Sequence, residues 1–150
     1  MGLTKPATFT MATICLNLSY CQLKEELSEE SYLQLYQYGF SEFKSGYTPA
    51  LRIKKNNRGQ TLTVLNYTVE QLFATAYGEG LSINHDQTII DVKERIKLQG
   101  IRCYKLFVPQ QQAANFYCIM QQNLKLEFPD YQVTIELVEN EKYMIITDIV

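Results

Sequence analysis

The chain has 150 residues, 46% hydrophobic and 20% charged, the balance of a folded domain and not of a disordered segment. A net charge of -2 argues against a dedicated nucleic-acid binder, which carries a basic surplus. No run of the sequence approaches the roughly 18 apolar residues that span a bilayer, so no transmembrane span is expected.

The N-terminal stretch Thr8–Tyr20 is moderately apolar, follows Lys5 and reaches Cys21 through Leu18-Ser19-Tyr20. A secretion signal ending at a lipid-attachment cysteine has this outline, but Tyr20 is too large beside the cleavage point and Asn17 interrupts the apolar run. No convincing signal sequence results, and residues 1–44 are expected to be a leader or interdomain remnant. A polar helix is predicted over about 24–38, with Gly39 as its stop. Glu25, Glu26, Glu29 and Glu30 read as its solvated face, since they lack the alternating ligands and central Gly of a calcium loop. Tyr32, Tyr36, Tyr38, Phe40, Phe43 and Tyr47 are denser than a linker needs. They are candidates for docking a partner, or else for covering the chain's own core.

The compact domain is expected over 45–150. Ala50–Lys55 alternates Leu51 and Ile53 inward with Arg52 and Lys54 outward, the period of a half-buried strand. Asn56-Asn57-Arg58-Gly59 is a turn, with Asn and Gly tolerating positive φ, and Thr61–Leu65 returns as the hairpin partner. Thr68 and Gln71 have the spacing of a capping box, with Tyr67 and Leu72 at the staple positions. Val69, Leu72, Phe73, Ala76 and Tyr77 form one apolar helical stripe, and Gly78 is expected to end it in a conformation other residues resist.

Gly80–Lys93 reads as strand, turn and strand, with the bend at Asn84–Gln87. Arg102–Val108 is another strand, with Cys103, Lys105 and Phe107 on one face and Tyr104, Leu106 and Val108 on the other. Pro109 suits the first turn of a second helix. Its stripe is Ala113, Phe116, Tyr117, Met120 and Leu124, ending near Pro129. Tyr131–Val138 and Lys142–Ile149 close the chain as a hairpin. The fold class is α+β: two β-α-β-β-type units, a mainly antiparallel sheet with two principal helices packed on one face. One continuous sheet and two separate ones are equally compatible with this pattern.

Chemistry is sparse. Cys15, Cys21, Cys103 and Cys118 include no Cys-x-x-Cys pair, and Cys103 and Cys118 sit among apolar residues as small hydrophobes. The only histidine, His85, precedes Asp86, with neither a serine nor an oxyanion site legible beside it. Asn66-Tyr67-Thr68 matches a glycosylation acceptor, but Thr68 is better used as a cap. No catalytic, metal or cofactor site is expected. The cluster Arg52, Lys54, Lys55, Arg58 is the one local basic exception, readable as a solvated hairpin tip.

One family fits a set of segments in order: Gly46-Tyr47-Thr48-Pro49, Leu62–Gly78, Cys103–Pro109, and Ile119-Met120-Gln121-Gln122-Asn123-Leu124. Together they resemble the accessory α+β region C-terminal to the thioredoxin domain in TlpA-like thiol-disulfide oxidoreductases of the bacterial cell envelope. The resemblance covers roughly residues 45–148. Its motifs specify fold more than activity, and no redox residue carries over, because no Cys-x-x-Cys pair opens a helix here. It implies an accessory module without the thioredoxin domain: a non-catalytic protein-interaction unit of the periplasm or envelope, whose partner is a thioredoxin-like domain or an envelope protein. Two alternatives stand beside it. One is a thiol-dependent oxidoreductase component using Cys103 or Cys118. The other is a peptide- or signal-binding domain of an outer-membrane transport system, binding acidic peptides around Arg52, Lys54 and Arg58.

Overall fold

The computed structural model describes residues 36–79 and 83–149. The leader, Cys15, Cys21, the acidic run, Tyr32 and most of the expected first helix lie outside the described residues. Strand β1 (Gln37–Glu42) comes first, followed by β2 (Ala50–Lys55) and β3 (Gly59–Thr68). Helix α1 (Val69–Tyr77) follows, then β4 (Thr88–Asp91) and β5 (Ile101–Pro109). Helix α2 (Phe116–Glu127), β6 (Tyr131–Val138) and β7 (Glu141–Asp148) complete the order. The class is α+β, as expected. Its strands form two sheets, not one: a four-stranded antiparallel sheet in the order β1-β5-β3-β2, and a three-stranded sheet in the order β4-β7-β6. The pairing is antiparallel throughout except between β4 and β7, which run parallel.

Two rows of side chains cross the larger sheet toward the helices. Phe40, Tyr104, Val64 and Leu51 stand opposite one another, as do Tyr38, Leu106, Leu62 and Ile53. The buried members of these rows join Leu72 and Phe73 of α1, Ile119, Met120 and Leu124 of α2, and Met144 and Ile146 of β7 in one core. Both sheets and both helices therefore share a single apolar interior. Alternation on each strand and a 3.6-residue stripe on each helix produce it.

The cap of α1 is as expected. The Thr68 hydroxyl accepts from the Gln71 amide at 3.1 Å, and the Gln71 side chain accepts from the Thr68 amide at 2.9 Å. The helix end differs. Gly78 has φ -80°, an ordinary helical value, and the left-handed residue is Glu79 at φ 53°. The turn at Asn56–Gly59 also differs in mechanism, for none of its residues has positive φ. It is held by the Asn56 carbonyl oxygen of the side chain, which accepts from the amides of Arg58 at 2.8 Å and Gly59 at 3.1 Å. Gly59 is required for a different reason: a Cβ there would collide with the backbone carbonyl of Val108 on β5. The β6–β7 connection has Glu139 and Asn140 at φ 52° and 67°, the two positive values of a tight turn that matches strand twist.

Two expectations about element type are corrected. Gln37 and Tyr38 belong to a strand, not to a helix running to 38, and the sheet thereby begins before the expected domain start at 45. The physical reason is a period of two: Tyr36, Tyr38 and Phe40 alternate with Gln37, Gly39 and Ser41, placing three rings on one face and covering the free side of β5. The second helical region opens as a 3-10 segment, Gln110–Asn115, and becomes α-helical only at Phe116. The bend at His85–Gln87 is likewise a 3-10 turn.

Candidate functional site

The six aromatic residues expected to dock a partner divide into two groups; Tyr32 lies outside the described residues. Tyr36 is buried, and Phe40 packs on Tyr104 with ring centroids 4.6 Å apart and on Phe128 at 5.9 Å. Burial raises the Tyr36 phenol above its ordinary range, with Tyr38 adding to the effect. These two residues serve the core. Tyr38 follows on the same strand, 41% exposed and edge-on to Phe40. Phe43 and Tyr47 are 56% and 61% exposed, beyond the end of β1.

What holds Phe43 and Tyr47 in place is Asn66. It occupies a bulge in β3, where the register to β5 shifts between Val64 and Tyr67, and its backbone is left-handed at φ 53°. Its side chain is buried and fully used. The Oδ1 atom accepts from the Lys44 amide at 2.8 Å, and Nδ2 donates to the carbonyls of Lys44 and Tyr47, each at 2.8 Å. The loop 44–47 is thereby closed onto the sheet. The Nδ2 that a glycan would need is committed, so the Asn-Tyr-Thr acceptor reading has no free nitrogen. Sequence reasoning missed this role, although an Asn inside an otherwise apolar strand was a signal of a backbone irregularity.

The thiols are separated. Cys103 is 3% exposed on the sheet face away from the helices. Its Sγ accepts from the Asn66 amide and donates to Asn66 Oδ1, both at 3.4 Å. Cys118 lies on α2, where a buried small hydrophobe was expected; it is half-buried and disulfide-bonded, to a partner outside the described residues.

His85 Nδ1 lies 3.2 Å from Glu70 Oε1, and the Gln99 amide donates to Glu70 Oε2 at 3.1 Å. The imidazole is 84% exposed, a geometry that ties a surface turn to the start of α1 and offers no shielded base. Among the described residues there is no group of three or more His, Cys, Asp or Glu placed to hold a metal. No helix there is long and apolar enough to cross a membrane.

The basic cluster stands on the open side of the larger sheet. Arg52 and Lys54 project from β2 on the face away from the helices, in the same rows as Lys105 and Phe107 of β5. On the helix side of β2 lies a hollow of about 520 Å³, bounded by Ile53, Lys55, Ala113, Phe116 and Tyr117. Compared with protein-family models, curated proteins and solved structures, the chain matches none.

Proposed function

We propose that this chain is a non-catalytic interaction module of a bacterial cell-envelope protein, docking a thioredoxin-like or other envelope protein through the loop that displays Phe43 and Tyr47. The observation that carries the reading is Asn66. A buried amide in a left-handed backbone position makes three of its hydrogen bonds to a loop whose aromatic side chains face water. Such a residue costs backbone strain, and what it secures is a fixed presentation of two large apolar rings, the kind of side chain enriched at the centres of interfaces. The disulfide at Cys118 supports an oxidising compartment such as the periplasm.

The test is a titration of the isotope-labelled chain with a purified thioredoxin-like protein, followed by amide chemical shifts. Perturbation centred on Phe43–Tyr47 supports docking there; an unchanged spectrum at saturating partner removes the reading. The rival thiol-dependent oxidoreductase has one observation in its favour, the Cys118 disulfide at the margin of the 520 Å³ hollow. Rapid exchange of that disulfide with a small thiol in the native state would favour it.

A further inference from the structure

Three independent features converge on β2. It is the last strand of the larger sheet, and among the described residues it pairs with β3 alone, its outer backbone groups meeting no other described strand. Its exposed cations are uncompensated among the described residues: Arg52, Lys54, Lys55 and Arg58 make no ion pair there, nor does Lys105 two strands away. The one carboxylate on the strands of this sheet, Glu42, lies 3.4 Å from Arg102 at the far edge. The smaller sheet is opposite in sign, carrying Asp91, Glu136, Glu141 and Asp148 against Lys142, so a net charge of -2 conceals a polarised molecule. Finally, the helix side of β2 carries Leu51 and Ile53 and is incompletely covered, with Lys55, Gln60 and Glu79 at the rim of the hollow. Leu51 is 37% exposed, Ile53 is half-buried, and the 520 Å³ hollow adjoins Ile53.

We infer that β2 receives, as an added strand, an extended peptide in which acidic and apolar side chains alternate. This rests on reading the chain as an interaction module, and it names a partner class at a surface distinct from the aromatic loop. Main-chain hydrogen bonds along the open edge supply the pairing. The period of two then sorts the side chains: carboxylates fall opposite Arg52 and Lys54 on one face, and apolar groups fall beside Leu51 and Ile53 on the other, one of them entering the hollow. A second copy of this chain pairing β2 to β2 would set like charges opposite one another, which is unfavourable. A single-stranded nucleic acid would meet the cations but has no amide ladder to offer the edge.

The experiment uses the full chain and a fluorescein-labelled peptide of alternating Glu and Val, read by fluorescence anisotropy and by amide hydrogen exchange. Saturable binding is expected, weakening as salt rises, with exchange slowed along Ala50–Lys55. Arg52→Glu combined with Lys54→Glu should weaken binding about tenfold or more while leaving the fold intact, both positions being exposed. An alternating Lys and Val peptide should not bind. The proposal is overturned by unsaturable binding, by affinity indifferent to the charge reversals, by unprotected β2 amides, by preference for a single-stranded oligonucleotide, or by self-association of the chain through β2. None of these outcomes bears on docking at Phe43 and Tyr47, which has its own titration.

Discussion

Thr68 and Asn66 sit two positions apart and differ in how far their roles reach. Thr68 serves the helix that begins immediately after it, and both halves of its capping box lie within three residues. Its role was legible because the chemistry is local. Thr68→Ala should lower unfolding free energy by about 1 kcal/mol, measured as a fall in the denaturant midpoint at unchanged slope. Asn66 serves residues about twenty positions back in the chain, and nothing local announces that partnership. Asn66→Ala removes three hydrogen bonds to the loop and the acceptor of the Cys103 thiol, and leaves part-buried backbone groups unpaired, at a cost of about 2 kcal/mol. The same variant should speed amide exchange at Lys44–Tyr47. Normal protection of that loop in the variant would show that Asn66 does not hold it. Gly78 illustrates the opposite error: a glycine after a helix is a good stop signal, yet the left-handed conformation falls on Glu79, one residue on.

At the scale of elements, periodicity identified β2, β3, β5, β6, β7 and both helices because each has one apolar side and one neighbour to bury it against. β1 was misread because Gly39 punctuates it and polar helix-forming residues precede it. The evidence for a strand lay in the alternation of Tyr36, Tyr38 and Phe40, whose value becomes apparent only once β5 is known to have a free side. The parallel partnership of β4 and β7 joins segments more than fifty residues apart, which no local pattern specifies. If β1 is an integral strand, Phe40→Ala should destabilise the domain by about 2 kcal/mol, the half-buried ring losing its contacts with Tyr104 and Phe128. Unaltered thermal stability of that variant would make β1 a dispensable addition.

At the scale of the whole molecule, the described residues share one apolar core, and its tyrosines give that core a pH signature. Tyr77 is pushed up to about 12 by burial, and Tyr104 is raised further by the same cause, partly opposed by its hydrogen bond from Asn123 at 2.9 Å. In the unfolded chain a tyrosine ionises near 10. Above that pH the unfolded state loses protons that the folded state keeps, so stability is full below about 10 and falls as pH climbs toward 12. Tyr77→Phe should blunt the decline over that window, as measured by urea unfolding at stepped pH; an equally steep decline in the variant would assign the loss to other groups. The charge distribution, basic on one sheet and acidic on the other, was hidden in a near-neutral total and emerged only with the strand order. The docking account itself is tested most directly by Phe43→Ala combined with Tyr47→Ala, with affinity for a thioredoxin-like partner and melting temperature measured on the same preparation. The account predicts lost binding at an unchanged melting temperature, and retained binding, or a melting temperature that collapses with it, would contradict it.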